Sequence, residues 1–171
     1  MITHTVTSGS YIISRERAEI LQAFLGSCVG VTLFDRKAGI GGLIHLLLPD
    51  PPSIDLDWKP EVSAATGIPI FIDELCRQGA KRERLHACIA GGALIDPVSK
   101  VDLTLDIGGR TAEMAQHILQ EEKIPILQNE VGGFFSFHIS FDLTTWKTTI
   151  EPFAIPAPKT ETVDFTPPTA K

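Results

Sequence analysis

The central stretch of this chain runs from Glu19 to Pro49 and reads EILQAFLGSCVGVTLFDRKAGIGGLIHLLLP. Its apolar runs have strand length and are separated by glycines or charged residues, a pattern typical of β-strands. We predict three strands here, at residues 19–25, 29–36 and 40–48. A hairpin turn at residues 36–39 would pair the second and third strands. This pairing would bring Cys28 and His45 to the same end of the sheet.

The sequence around Cys28 suits a nucleophile. A free thiol has a pKa of about 8.5 and is mostly protonated at neutral pH, so it needs a neighbouring base, usually histidine. Gly26 and Gly30 allow a tight bend that exposes the sulfur, and N–H groups beside such a bend can converge as an oxyanion hole. His45 is the candidate base. The residue pattern also allows a second interpretation, in which Cys28 is a small buried hydrophobe and His45 a hydrogen-bonded core histidine.

The rest of the chain predicts a mixed α+β domain. Apolar residues at helical spacing predict one helix over 64–78, beginning properly at Pro69, and a second that follows Gly108-Gly109-Arg110 and runs to about residue 120. Alternation predicts further strands at residues 11–14, 85–90, 125–130, 135–143 and 146–150. Residues 1–10 are polar and are expected to form a frayed arm. We expect one domain over 1–150 and a proline-rich tail over 151–171 that does not fold by itself.

Composition excludes several classes of protein. The chain has 171 residues, 43% of them hydrophobic and 21% charged, which suits one globular domain. Its formal net charge of −6 argues against nucleic acid or an anionic membrane as the main partner. Three cysteines without zinc-like spacing predict reduced thiols in the cytoplasm, where Cys76 and Cys88 would be packing residues. No apolar stretch has the length of a membrane span.

Two segments carry a resemblance to a known family. Leu25-Gly26-Ser27-Cys28-Val29-Gly30-Val31 and Gly41-Gly42-Leu43-Ile44-His45-Leu46-Leu47-Leu48-Pro49 resemble the CheD family of chemoreceptor glutamine deamidases. Shorter motifs continue the resemblance in order, so that it spans about residues 10–150. They include Ile89-Ala90-Gly91-Gly92-Ala93, Ile107-Gly108-Gly109-Arg110 and Val131-Gly132-Gly133.

The resemblance implies a fold and an activity. The fold would be a layered sandwich of largely antiparallel sheets with two to three helices, shared with the cytotoxic necrotizing factor toxins. The activity would be hydrolysis of glutamine side chains on methyl-accepting chemotaxis receptors, giving glutamate and ammonia without a metal or organic cofactor. Cys28 would be the nucleophile, His45 the general base and acid, and the backbone N–H groups of Ser27 and Cys28 the oxyanion donors.

The resemblance also leaves two questions open. A CheC-type phosphatase is an implied partner, and a receptor- or CheC-binding module without catalysis is the alternative function. In the family a threonine usually stands six residues before the cysteine and orients the histidine, whereas this chain has Gln22. A histidine base needs an acceptor on its second nitrogen. We expect Gln22 to supply it through its side-chain or backbone carbonyl, unless another residue has taken over.

Overall fold

The computed structural model describes residues 1–52, 57–94 and 106–153, which contain nine strands and two α-helices. In chain order these are β1 (Ile2–Thr5), β2 (Ser10–Ser14), β3 (Glu19–Leu25), β4 (Val29–Asp35), β5 (Ile40–Leu46), α1 (Ala64–Arg77), β6 (His86–Gly91), α2 (Ile107–Glu121), β7 (Ile126–Val131), β8 (Ser136–Asp142) and β9 (Lys147–Phe153).

The strands form two sheets. One has four strands in the order β1-β3-β8-β9, and the other has five in the order β2-β5-β4-β6-β7. Neighbouring strands are antiparallel except in the pairs β1–β3 and β6–β7, which are parallel. The largely antiparallel arrangement that we predicted is therefore confirmed.

The sheets and helices stack in three layers. Helices α1 and α2 cover one face of the five-stranded sheet, where Val31, Ile44 and Ile89 pack against the helical core. The opposite face of that sheet packs against the four-stranded sheet through a second core that includes Leu43 and Phe141. Burying apolar side chains on both faces explains why β4 and β5 read as continuous apolar runs, since all their residues are buried.

Helix α1 spans almost the whole predicted range, and helix α2 begins earlier than predicted. Helix α1 starts at Ala64, where the Ser63 side chain caps it, and Pro69 lies inside the helix rather than at its start. Helix α2 starts at Ile107, so the glycine pair 108–109 occupies its first turn, and the Asp106 side chain accepts a hydrogen bond from the Gly109 N–H. In both cases a capping side chain sets the helix start before the apolar periodicity becomes visible.

The N-terminal residues are not a frayed arm. Strand β1 pairs with β3 at the edge of the four-stranded sheet, and β2 starts at Ser10 opposite His45 of β5. Most side chains of β1 are exposed, so backbone hydrogen bonds rather than apolar burial hold it in place. A segment of this kind has no hydrophobic period, and composition alone made it look unstructured.

The last strand ends slightly beyond its predicted end. Strand β9 extends to Phe153, past the predicted end of the strand at residue 150. Residues 154–171, which make up most of the predicted tail, lie outside the described residues, as do residues 53–56 and 95–105. Among the helices of the described ranges, none is long and apolar enough to cross a membrane.

Candidate active site

Strand register brings Cys28 and His45 to one end of the sheet. The predicted hairpin is present, and in it Gly30 of β4 pairs with His45 of β5. A side chain at position 30 would meet Leu25 and Ile139, so this position faces the four-stranded sheet. Because side chains alternate along a strand, His45 opposite Gly30 faces the same way, and Cys28 lies two residues before Gly30 on that side. The nucleophile and base candidates therefore share the space between the two sheets.

One nitrogen of His45 has a fixed role. The imidazole is buried, with 5% of its surface exposed, and Nδ1 lies 2.9 Å from the carbonyl oxygen of Val6. A carbonyl can only accept, so Nδ1 carries the proton and Nε2 carries the lone pair. Burial lowers the pKa of His45 below its ordinary value and outweighs the hydrogen bond to Val6, which raises it. The ring is therefore a neutral base at neutral pH.

The other nitrogen of His45 is unpaired. Nε2 is buried and has no hydrogen-bond partner among the described residues. The Cys28 thiol therefore does not hydrogen-bond Nε2 in this structure. Contacts of this kind often tighten only when substrate is bound.

The thiol of Cys28 is neutral in the resting site. Cys28 is half-buried, and burial raises the pKa of its thiol above the ordinary value, while the hydroxyl of Ser8 lowers it by less. A neutral thiol next to a neutral imidazole is not a standing thiolate–imidazolium pair. A nucleophilic role for Cys28 would therefore require the sulfur to lose its proton to a base as it attacks.

In the bend at residues 26–28, two carbonyls have backbone hydrogen-bond partners among the described residues and two N–H groups do not. The Gly26 carbonyl accepts a hydrogen bond from the Ala93 N–H at 3.1 Å, and the Cys28 carbonyl accepts one from the Gly92 N–H at 2.8 Å. Within the described ranges, neither Ser27 nor Cys28 donates its N–H to a backbone carbonyl. Both N–H groups are therefore available to an oxyanion, and that role stays a prediction.

Two glycines outside the bend allow this arrangement. A Cβ atom on Gly91, whose φ is +104°, would lie 2.2 Å from the carbonyl oxygen of Cys28. A Cβ atom on Gly108 would lie 2.8 Å from the carbonyl oxygen of Ser27. Both glycines belong to motifs that the sequence showed, but their close approach to the bend is visible only in the folded chain.

The Gln22 side chain does not orient His45, contrary to our expectation. Leu21 and Ala23 point into the core between the sheets, so alternation along β3 turns Gln22 to the outer face of the four-stranded sheet. The acceptor for His45 is the carbonyl of Val6. Gln22 contributes only through its own backbone carbonyl, which accepts the Val6 N–H at 2.8 Å.

His138 lies on the same outer face as Gln22. Its Nε2 is 2.9 Å from the side-chain oxygen of Gln22, and its ring stacks on Phe24 with centroids 4.8 Å apart. The amide nitrogen of Gln22 donates a hydrogen bond to the Thr5 hydroxyl. These contacts form a partly buried surface cluster that does not include Cys28 or His45.

The two remaining cysteines are packing residues, as predicted. Cys88 in β6 is buried, and Cys76 on α1 is half-buried against the core below the helices. The described part of the chain has no group of three or more His, Cys, Asp or Glu side chains arranged to hold a metal ion.

Comparisons with known proteins identify relatives over most of the chain. The family model described as CheD chemotactic sensory transduction matches residues 47–152, a range that begins just after His45. A protein of Desulforamulus reducens named "Probable chemoreceptor glutamine deamidase CheD" is 37% identical over 146 residues, covering 85% of this chain and 88% of that protein. A protein of the same name from Clostridium botulinum is 33% identical over 139 residues, covering 81% of this chain and 86% of that protein.

Solved structures give a weaker similarity. The Neisseria meningitidis protein NMB0706 superposes with a TM-score of 0.48 at 9% sequence identity. The superposed region covers 78% of this chain and 64% of that protein.

Proposed function

The chain belongs to the CheD family, and we propose that it hydrolyses glutamine side chains of chemoreceptors with Cys28 as nucleophile and His45 as base. Protein-glutamine deamidation in chemotaxis is the activity that family membership gives it. The assignment of roles to individual residues rests on the geometry of the site.

The arrangement supports a two-step reaction. His45 Nε2 takes the proton of the Cys28 thiol while the sulfur attacks the amide carbon, and the N–H groups of Ser27 and Cys28 bind the oxyanion. The protonated imidazole then gives its proton to the departing ammonia, which leaves a thioester on Cys28. Water activated by the same nitrogen hydrolyses the thioester, releasing glutamate and restoring the thiol. Throughout, the Val6 carbonyl accepts the hydrogen bond from the protonated Nδ1 of His45, and it stabilises the imidazolium when that forms.

The unpaired Nε2 of His45 is the observation that carries this proposal. A buried polar atom without a partner typically costs about 1–3 kcal/mol, so a histidine kept only for packing would be expected to satisfy both nitrogens. His45 instead fixes its proton on Nδ1 and leaves a buried, unpaired lone pair on Nε2, while its side chain and Cys28 face the same space between the sheets. This arrangement favours a general base over a core histidine and an enzyme over a binding module.

Deamidation of a purified cytoplasmic receptor fragment tests the proposal. We expect the wild type to release ammonia and to convert receptor glutamines to glutamates, detected by peptide mass. Cys28→Ala should abolish this turnover, whereas Cys88→Ala and Cys76→Ala, which replace packing cysteines, should retain it. Ammonia release by Cys28→Ala at the wild-type rate would overturn the assignment of the nucleophile.

Further parts of the proposal concern partners and conditions. We propose that the reaction takes place in the cytoplasm and needs no metal or organic cofactor, so a chelator should leave the rate unchanged. A CheC-type phosphatase is a proposed partner. Co-purification of the two proteins at a defined stoichiometry would support that partnership, and two independent elution positions would contradict it.

A further inference from the structure

Exposed phenylalanines gather at the end of the protein that carries Cys28. Strand β3 ends at Leu25, which pairs with Phe137 of β8, and Ser136 at the start of β8 pairs with Phe153 of β9. The exposed phenylalanines of the described ranges all lie at or next to these strand ends, and they are Phe24, Phe134, Phe135 and Phe153. We call these four side chains the aromatic surface.

Two members of the aromatic surface contact each other on the outer face of the four-stranded sheet. Leu25 is buried, so alternation along β3 turns Phe24 outward, four residues before Cys28. The ring centroids of Phe24 and Phe153 lie 5.3 Å apart, and the two residues are 47% and 38% exposed. Phe24 also stacks on His138. Rings that support one another in this way form a fixed apolar area that water still reaches.

The other two members follow a loop that is tied to the bend of the nucleophile. The loop at residues 132–133 makes two backbone hydrogen bonds of 2.9 Å, one to the Gly91 carbonyl and one from the Leu94 N–H. The segment from Gly91 to Leu94 in turn donates two hydrogen bonds to the carbonyls of the bend. Phe134 and Phe135 are each 69% exposed, and Phe134 lines a cleft of about 250 Å³ together with Leu94. These phenylalanines are therefore held beside the candidate active site.

We propose that the aromatic surface binds the receptor segment that carries the target glutamine, by packing against apolar side chains next to that glutamine. Single exposed apolar residues are common, whereas grouped ones mark places where another molecule binds, and aromatic residues are enriched there. The surface helps to decide which glutamines reach Cys28, since a segment without apolar neighbours gains little by docking. This specificity role rests on the proposed function, whereas the binding role does not.

The depth of the site explains why the receptor segment is the occupant. Cys28 is half-buried and His45 is buried, so only the side chain of a glutamine can enter between the sheets. A glutamine side chain is short, so the backbone of its segment must lie at the entrance, and the residues on either side must lie against the surface around it. At that place the protein presents Phe24 and the two loop phenylalanines.

Receptor binding can be measured without turnover in the full chain that carries Cys28→Ala. The probe is the purified cytoplasmic receptor fragment, and its Kd is measured by isothermal titration calorimetry. In this background we expect Phe134→Ala combined with Phe135→Ala to raise Kd about tenfold, as for loss of aromatic anchors at an interface. Phe24→Ala tests the other half of the surface and should also raise Kd. With Cys28 intact, the double change should raise KM about tenfold and alter kcat much less.

Matched variants separate the aromatic surface from a general loss of apolar area. Leu127→Ala removes a side chain of 56% exposure near the start of β7, away from the Cys28 end, and should bind like its parent. Phe134→Leu combined with Phe135→Leu keeps apolar side chains and should retain most of the affinity. Melting temperature and Cys28 alkylation by iodoacetamide should stay unchanged in the double alanine variant, which would show that fold and bend are intact.

The results distinguish the surface from the function on which its specificity role rests. An unchanged Kd in both the Phe24 and the loop variants, with wild-type deamidation intact, would overturn the aromatic surface and keep Cys28 as nucleophile. A chain that binds the fragment through these phenylalanines but never deamidates it would overturn the function and keep the surface. Altered self-association of the variants without a change in Kd would assign the surface to a second copy of the chain and contradict the proposal.

Discussion

Replacing Gly91 with alanine should displace the nucleophile. The new Cβ atom would lie 2.2 Å from the carbonyl oxygen of Cys28, whereas real Cβ contacts are essentially never below 3.0 Å. The difference, 3.0 − 2.2 = 0.8 Å, is the least by which the two backbones must separate. A misplacement of about 1 Å in an active site can cost about a hundredfold in rate, so we expect kcat of Gly91→Ala to fall by that order. The positive φ of Gly91 adds strain of about 1–3 kcal/mol.

Two other glycines act as controls for this prediction. Gly39, in the turn between β4 and β5, also has a positive φ, but a Cβ atom there would have no neighbour within 4 Å. Gly39→Ala should therefore lose stability and keep wild-type kcat. Gly108→Ala would bring a Cβ atom to 2.8 Å from the Ser27 carbonyl, only 3.0 − 2.8 = 0.2 Å too close, and should lose less activity than Gly91→Ala.

The assay measures deamidation kinetics and thermal unfolding in parallel. Measuring below the melting temperature of each variant separates lost activity from lost structure. We expect the loss of kcat to follow the size of the clash with the bend, in the order Gly91, Gly108, Gly39. Equal kcat in Gly91→Ala and Gly39→Ala would show that the bend does not hold the nucleophile in its working position.

Three further predictions concern His45 and its support. The Ile2 N–H donates to the Ala18 carbonyl, and the Val6 N–H donates to the Gln22 carbonyl. Because alternate residues along a strand direct their N–H groups to the same side, the His4 N–H also faces β3, whereas the Thr3 N–H faces away from it. His4→Pro removes this N–H, so it should loosen the Val6 carbonyl that orients His45 and lower kcat about tenfold in steady-state kinetics. The controls Thr3→Pro and His4→Ala keep the His4 N–H and should change kcat much less. Burial lowers the pKa of His45, and the neutral ring is the base. On acidification, kcat/KM should therefore fall only below about pH 6.5, which is the ordinary pKa of histidine. A fall in kcat/KM that begins above that pH would contradict a neutral His45 base. Gln22→Ala should leave kcat nearly unchanged, since its side chain contacts His138 and Thr5, and a large loss would restore it as an orienting residue.

Local patterns in the sequence predicted the parts of the site that depend on them. The apolar runs and the turn at residues 36–39 indicated the hairpin, and the hairpin alone places Cys28 and His45 at one end. Helix α1 followed from its apolar spacing, since Ile68, Phe71 and Leu75 are fully buried.

The support for His45 could not be predicted in the same way. Strand β1 is an exposed edge strand that pairs in parallel with β3, so it has no hydrophobic period to reveal it. The acceptor for His45 is a backbone carbonyl, which every residue has and which no side-chain pattern marks. Gln22 was the natural candidate by position, and its orientation was decided by strand alternation relative to the buried Leu21.

The most direct test of the central claim is to trap the covalent intermediate. The wild-type protein is mixed with a glutamine-containing receptor fragment, quenched rapidly in acid and digested, and the peptides are mapped by mass. We predict a thioester adduct on the peptide that contains Cys28 and no adduct on the peptides that contain Cys76 or Cys88. An adduct on either of those cysteines, or undiminished turnover by Cys28→Ala, would contradict the assignment of Cys28 as the nucleophile.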